Sequence, residues 1–385
     1  MKKAANPPEI PDISHLNHSH SAFYYALLTW FDRTARPMPW RKSQDPYAIW
    51  ISEIMLQQTQ VQTVIPYFLR FLTRFPNVTL LAAAPLEEVL KLWAGLGYYR
   101  RAKQLHLAAK TIQATHNGLF PREYAHILAL PGIGRYTAGA VGSIAFGLHV
   151  PVLDGNVMRV LSRLLTFTDD IARPAAQKKL WQIADRLLPD SRVGDFNQAL
   201  MELGATLCKP VAPACAVCPI RLWCRAFADN RVEDFPHKTA RKKTSIVHHV
   251  SLIIYHRRAR LGNTKLVLKR PDGGLWSGLW EFPTFETRRG KVAPADITRW
   301  VLENIGLQIR ILPGANYIRH QLTHRTMCYQ VFTARVLGRK ITTASQLPFC
   351  GPHRYESARW LKKISDVPIG RVTEKIAAVA AAKKK

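Results

Sequence analysis

The sequence predicts a mainly α-helical domain followed by an α+β domain, and three observations carry that reading. Apolar residues recur at i, i+3, i+4 and i+7 spacing through most of residues 21–227. Past a polar, basic stretch at 228–246 (ADNRVEDFPHKTARKKTSI), β-rich runs take over. Where the helical part ends, Cys208, Cys215, Cys218 and Cys224 crowd into 17 residues at C-x6-C-x2-C-x5-C spacing.

Taken in order, residues 1–20 form a tail whose His15, His18 and His20 read as solvated side chains rather than metal ligands. The helices come next: AFYYALLTWF, the long run PYAIWISEIMLQQTQVQTVIPYFLRFLTRF, PLEEVLKLWAGLG, RAKQLHLAAKTIQATH and QKKLWQIADRLL. Breaks fall at Pro76, Pro85, Gly118 with Pro121, and Pro131-Gly132. After the linker, IVHHVSLIIYH and TKLVLKR read as a hairpin turning around Gly262-Asn263. MCYQVFTARV reads as a further strand and ITRWVLENIG as a helix, so the second domain spans 247–370. Residues 371–385 are left as a tail, a fraying helix that ends in lysines.

A chain of 385 residues suits two domains, each able to bury its own core. Its 47% hydrophobic content and ten tryptophans exclude a disordered protein. No apolar run is long enough to span a bilayer and the first residues lack a signal-peptide core, so a soluble, cytoplasmic monomer is expected. The two cysteines outside the cluster, Cys328 and Cys350, fit a reducing compartment without disulfides. The formal charge of +29 is uneven: 25 Lys and Arg face 16 Asp and Glu up to residue 230, and 30 face 10 beyond it. Such an excess points to a polyanion partner, and nucleic acid is favoured over an anionic membrane because no basic amphipathic anchor helix is present.

The four clustered cysteines suit one compact metal centre, and their spacing leaves both zinc and an iron–sulfur cluster open. Upstream, LPGIGRYTAGAVGSIAF places Gly132 and Gly134 in a tight turn that feeds a helix, where free amides make a seat for a phosphate. An ordinary helix–helix turn would read the same way. Asp154, in PVLDGNVMRVLSRLL, stands directly before an amphipathic helix and is suited to capping it.

Together, the helix–LPGIG–helix segment, the Asp in VLDGNV and the cysteine cluster resemble the helix-hairpin-helix DNA glycosylases that carry a [4Fe–4S] cluster. WISEIMLQQTQVQTVIPYF and WAGLGYYRRAKQLH are similar to the adenine-specific branch, the MutY adenine DNA glycosylases. The resemblance implies hydrolysis of the N-glycosidic bond of adenine opposite 8-oxoguanine or guanine in double-stranded DNA, and it implies iron–sulfur rather than zinc. Glu53, the only acid in its apolar stretch, then matches the catalytic glutamate; a carboxyl in such surroundings has a raised pKa. Asp154 matches the second carboxylate and Asn156 would orient it. Tyr136 stands where the bifunctional endonuclease III branch carries a nucleophilic lysine, so base excision without efficient strand cleavage is expected. Arg41, Leu56, Gln57, Gln58 and Tyr98 match positions that line the base pocket or enter the DNA, with Gly132 and Gly134 on the backbone.

GGLWSGLWEFP resembles Nudix hydrolases, but RWVLENIGL keeps only Glu303 where the Nudix motif presents three acids for magnesium. A Nudix-like module that recognises 8-oxoguanine is implied instead of a hydrolase. Leu322-Thr323-His324 matches the family's Phe-Ser-His loop; the hydroxyl and imidazole of Thr323 and His324 are kept and the aromatic is lost. Two other readings are set against the favoured one: a bifunctional endonuclease III-like glycosylase/lyase, and a non-enzymatic iron–sulfur redox sensor that binds DNA.

Overall fold

The computed structural model describes residue 13 and residues 20–239, 244–258, 262–288, 290–337 and 355–382. His15, His18 and Cys350 lie outside the described residues. The chain divides into two compact units: residues up to Ala82 with Leu107–Arg241, and Ala83–His106 with Lys242–Lys385.

The helical part runs α1 His20–Thr34, α2 Pro46–Leu56, α3 Val61–Arg74, α4 Val78–Ala83, α5 Leu86–Trp93, α6 Arg100–Thr115 and α7 Tyr124–Ala129. It continues through α8 Arg135–Phe146, α9 Gly155–Leu164, α10 Pro174–Arg186, α11 Val193–Thr206 and the short α12 Arg225–Ala228. Helix α2 starts with Asp45 accepting from the Tyr47 amide at 3.0 Å and Pro46 in the first turn, both strong start signals. From Tyr47 to Met55 every residue of α2 is buried, so this helix has no solvated face to offer Glu53. Helix α9 is amphipathic instead, and its Val157, Val160, Leu161 and Leu164 pack in one core with Phe196, Leu200 and Leu203 of α11 and Phe23 and Leu27 of α1.

The run predicted as one helix from residue 46 to 75 is two, α2 and α3, separated at Gln57–Gln60. Gln58 turns the chain with φ at 58°, a left-handed conformation that neither Gly nor Pro announces in the sequence.

In the second unit, strands β1 Ser245–Arg258, β2 Gly262–Lys269, β3 Trp280–Glu281, β4 Thr284–Thr287, β5 Ile309–Gln321, β6 Arg325–Val336 and β7 Ser357–Leu361 form one sheet. Its order is β3-β2-β1-β6-β5, with β4 also on β1 and β7 on β2; β1 and β6 are parallel and the other pairs antiparallel. The expected hairpin is β1–β2, but Gly262 and Asn263 pair inside it (opposite Arg258 and Arg257) and are not its turn. Two cores flank the sheet. Val250, Leu252 and Ile254 of β1 pack with Ile297, Val301 and Ile305 of α13 (Pro294–Ile305), whereas Ile253 packs with Val372 and Ile376 of α14 (Arg371–Ala382). Residues 371–382 are therefore a core helix and not the fraying tail expected, because Val372 and Ile376 lie one turn apart on its buried face.

The segment 83–106 joins this second unit through side chains. The Tyr99 hydroxyl donates to the Ile369 carbonyl at 3.1 Å, Arg359 pairs with Glu87 at 2.8 Å, and Lys103 bonds Asp272 and Ser277.

Candidate active site

Glu53 lies on the last turn of α2 and is only 6% exposed. Among the described residues its one hydrogen-bond donor is the Tyr136 hydroxyl, at 2.7 Å from Oε2; Tyr136 is the second residue of α8, immediately after the glycine turn. Burial pushes the Glu53 carboxyl up to about 7; the Tyr136 hydrogen bond and the Arg41 charge oppose this, and Asp154 adds to it. Tyr136 is also held well above its ordinary value by burial, with Glu53 and Asp154 adding to the effect, so its hydroxyl stays protonated and donates. The two acids that the sequence places far apart thus meet in one site.

Asp154 is both a helix cap and a site residue. Its Oδ1 accepts from the amides of Asn156 (2.9 Å) and Val157 (2.8 Å) at the start of α9, and its Oδ2 accepts from Asn156 Nδ2 at 2.9 Å. Burial raises its pKa, while those donors and Arg159 favour the anion. The α9 N-terminus adds a positive partial charge beneath it. Asn156 is itself held, because its Oδ1 accepts from Arg159 at 2.9 Å, which leaves its NH₂ for Asp154.

Sequence reasoning missed this supporting layer. Arg159 donates to the carbonyls of Gly204 (2.7 Å) and Cys208 (2.8 Å), and Arg163, one turn on and 1% exposed, donates to Lys209 O at 2.6 Å, Pro210 O at 3.2 Å and Cys208 Sγ at 3.3 Å. One face of α9 therefore grips the cysteine loop while its first turn holds the carboxylate. Glu202 on α11 was missed too. It is 2% exposed, bonds Arg41 at 2.9 Å and also pairs with Arg36. Burial alone would raise its pKa, but the two guanidinium groups more than offset this and keep it lowered. Arg41 is thereby fixed beside Glu53, stacked on Phe31.

Cys208, Cys215, Cys218 and Cys224 line one cavity of about 30 Å³ together with Arg163, Leu207, Ala214 and Phe227. Among the described residues no three Cys, His, Asp or Glu side chains converge on a single metal ion. Burial raises Cys218 to about 12 and Cys224 to about 11, so these thiols need a cationic centre to lose their protons.

The hairpin turn is as expected, with Gly132 at φ 75° and both Gly132 and Gly134 exposed at the start of α8. Gln58 is exposed in the turn after α2, while Leu56 and Gln57 are half-buried. Gln57 Nε2 reaches Thr137 Oγ1 at 3.4 Å. In the second unit Tyr98, 46% exposed and at φ 48°, meets Thr323 through a hydroxyl–hydroxyl contact of 2.6 Å. His324 stands exposed beside it in the β5–β6 turn. Glu303 is exposed on α13, and Trp300 on the same helix stacks on Phe285 with ring centroids 4.5 Å apart.

A helical hairpin that sets Tyr136 against the buried Glu53, with Asp154 beside it and a cysteine loop further on, defines a helix-hairpin-helix repair protein. Accordingly, residues 51–186 match the HhH-GPD superfamily base excision DNA repair protein family, and residues 255–379 match the NUDIX domain family. The adenine DNA glycosylase of Buchnera aphidicola (subsp. Baizongia pistaciae) is 38% identical over 309 residues, 79% of this chain and 84% of that protein. The adenine DNA glycosylase of Homo sapiens is 35% identical over 396 residues, 89% of this chain and 70% of that one. The chain belongs to the adenine DNA glycosylase family. No described helix is long and apolar enough to cross a membrane.

Two outcomes are expected from this geometry. Glu53 has a folded pKa above its unfolded value of 4.5, so its protonated form stabilises the fold below pH 4.5 and that contribution is lost as pH rises through about 7. Glu53→Gln is expected to raise stability by roughly 2–3 kcal/mol above pH 7 and to change it little below pH 4.5, measured by urea unfolding across pH; equal effects at both ends would contradict the buried, neutral acid. At Gly204 a Cβ would lie 2.6 Å from Asn156 Cβ and 3.0 Å from its carbonyl oxygen. Gly204→Ala should cost roughly 1–3 kcal/mol in the same unfolding experiment.

Proposed function

We propose that this protein is a monofunctional glycosylase that hydrolyses adenine from double-stranded DNA where it faces 8-oxoguanine or guanine. The observation that carries the proposal is the buried Glu53 carboxyl, hydrogen-bonded by Tyr136, with its pKa near neutrality beside Asp154. Adenine is a poor anionic leaving group, so the bond to the sugar breaks readily only if the base is protonated. Glu53 gives its proton to N7 of an extruded adenine; the C1′–N9 electron pair leaves with the base, and the sugar becomes oxocarbenium-like. The Asp154 carboxylate, already anchored by three N–H groups, faces that cation and stabilises it. Water then adds to C1′ and gives a proton back to Glu53, which restores the acid.

Tyr136 supports hydrolysis over lyase chemistry. A phenol held protonated by burial has no amine to form a Schiff base, so strand cleavage has no nucleophile at this position. Arg41, fixed by Glu202, Leu56 and Gln57 line the base pocket, and Gln58 and Tyr98 enter the duplex where the base has left. Gly132 and Gly134 present the α8 amides to a phosphate. Thr323 and His324 read the base opposite adenine. The Nudix-like domain is a reader and not a pyrophosphohydrolase in this proposal, since the sequence keeps only Glu303 where the Nudix motif presents three acids.

Cys208, Cys215, Cys218 and Cys224 hold one [4Fe–4S] cluster in this proposal; the four thiols line one cavity, and the family to which the chain belongs favours iron–sulfur over zinc. When bound, the cluster supplies cross-linking of the 208–224 loop, whose carbonyls Arg159 and Arg163 hold. The protein acts as a monomer on chromosomal DNA in a bacterial cytoplasm.

A single-turnover assay on duplexes carrying adenine opposite 8-oxoguanine, guanine or thymine tests this, with and without alkali. Excision is expected opposite 8-oxoguanine and guanine but not thymine, with strand breaks only after alkali. The rate should fall as pH rises through about 7, because Glu53 loses the proton it must donate. Glu53→Gln should abolish excision and retain DNA binding, whereas unchanged turnover would remove Glu53 from the mechanism. His324→Ala should narrow the preference for 8-oxoguanine over guanine more than it slows excision; equal losses on both substrates would contradict a reading role.

A further inference from the structure

The loop between α5 and α6, residues 94–99, is held in a conformation that side chains resist. Tyr98 has φ at 48°, in the left-handed region, and Gly95 (98°) and Gly97 (76°) also have positive φ. Glycine adopts such angles freely, but a tyrosine stays there only where its surroundings fix it. Inside the loop, Trp93 Nε1 and Arg101 Nη2 both donate to the Gly97 carbonyl at 3.2 Å, and the Arg101 guanidinium lies over the rings of Trp93 and Tyr98. Tyr99, the next residue, is 6% exposed; its phenol oxygen accepts from the Gly95 amide and donates to the Ile369 carbonyl, each at 3.1 Å. One oxygen therefore joins the start of the loop, its end and a residue 270 positions away in the Nudix-like domain. Ile369 is a firm anchor: it is buried and bridges Trp280 of β3, whose amide donates to the Pro368 carbonyl at 2.9 Å. A second anchor lies one turn along α6, where Lys103 donates to Asp272 and Ser277. Gly278 sits so near that a Cβ there would stand 3.1 Å from Lys103 Nζ. Core packing accounts for the ring of Tyr99, but not for a hydroxyl shared between loop and sheet.

We propose that Tyr99 is a positioning residue for Tyr98: through its hydroxyl the Nudix-like domain holds the α5–α6 loop in the left-handed form that keeps Tyr98 against Thr323. Lys103, on Asp272 and Ser277, is the second point of the same mount. The Nudix-like domain then sets selectivity for the base opposite adenine by two routes, its own β5–β6 turn and the tyrosine it holds in place. The inference rests on the functional reading above, in which Tyr98 enters the duplex and Thr323 reads the opposite base.

The test is a double-mutant cycle on the cluster-loaded protein. It reads the ratio of Kd values for duplexes with 2′-fluorinated deoxyadenosine, which resists hydrolysis, opposite guanine and opposite 8-oxoguanine. Tyr99→Phe keeps the ring and should narrow that ratio about 5-fold, the worth of one lost hydrogen bond. In a Tyr98→Ala background the same substitution should change the ratio no further, since its effect passes through Tyr98. Lys103→Met should act in the same way by about 2-fold, as the loss of a mostly exposed ion pair allows. Urea unfolding checks that each variant folds, and Lys103→Met decides the matter should Tyr99→Phe fail to do so. An unchanged ratio, including equal losses on both duplexes, overturns the proposal. So does a further narrowing in the Tyr98→Ala background, which marks the hydroxyl as merely structural. Should the wild-type protein fail to excise adenine, the functional reading fails separately.

Discussion

The structure depends on keeping one carboxylic acid out of water. Glu53 sits in a helix buried on every side, which pushes its carboxyl up to about 7, whereas Asp154, also raised by burial, has donors that Glu53 does not share and that favour its anion. Two acids in one cavity normally compete for a single proton, and their environments decide which keeps it. Among the described residues one has a phenol as its only hydrogen-bond donor and the other has two amides, an Asn NH₂ and a helix N-terminus. That asymmetry favours the proton on Glu53 over the proton on Asp154.

The asymmetry is mechanical as well as electrostatic. Helix α9 is capped by Asp154, carries Asn156 in its first turn, and carries Arg159 and Arg163 on the face turned to the cysteine loop. The carboxylate, its amide partner and the loop are therefore parts of one hydrogen-bonded body: Cys208 carbonyl, Arg159, Asn156, Asp154. Loosening the loop would remove the Cys208 carbonyl from Arg159 and leave it on Gly204 and Asn156, so the orientation of the Asn156 amide is shared between the loop and α11.

How much of this was legible in the sequence differs residue by residue. Glu53 was legible because a single acid in a long apolar run has no solvated face. Glu202, in QALMELGAT, carries the same signal, but α11 is flanked by polar residues and an acid there reads as surface; only the fold shows Arg36 and Arg41 closing over it. Arg159 and Arg163 were hidden for the converse reason, since arginines on an amphipathic helix read as solvated unless a loop brings carbonyls to them. The break at Gln58 was not legible, because no Gly or Pro marks the left-handed backbone there. Tyr98 and Thr323 came from separate motifs, and a contact across 225 positions is invisible to any local pattern. The domain order, the strand-rich second half and the cysteine centre rest on composition and period, which survive folding unchanged.

Residue 136 shows how tightly these features are joined. Its side chain lies 2.7 Å from Glu53, within a site that water does not screen. A lysine there would place an ammonium against the Glu53 carboxyl, and a buried opposite charge at that range lowers a carboxyl pKa by one to three units, about 1.4 kcal/mol for each. The amine would then be tied up as a protonated ion pair and the acid would be ionised at neutral pH. The amine would lack a free lone pair and the acid would lack its proton. A neutral phenol avoids both, since it donates one hydrogen bond to Glu53 without adding a charge beside it. The charge of residue 136 therefore bears directly on the proton on residue 53.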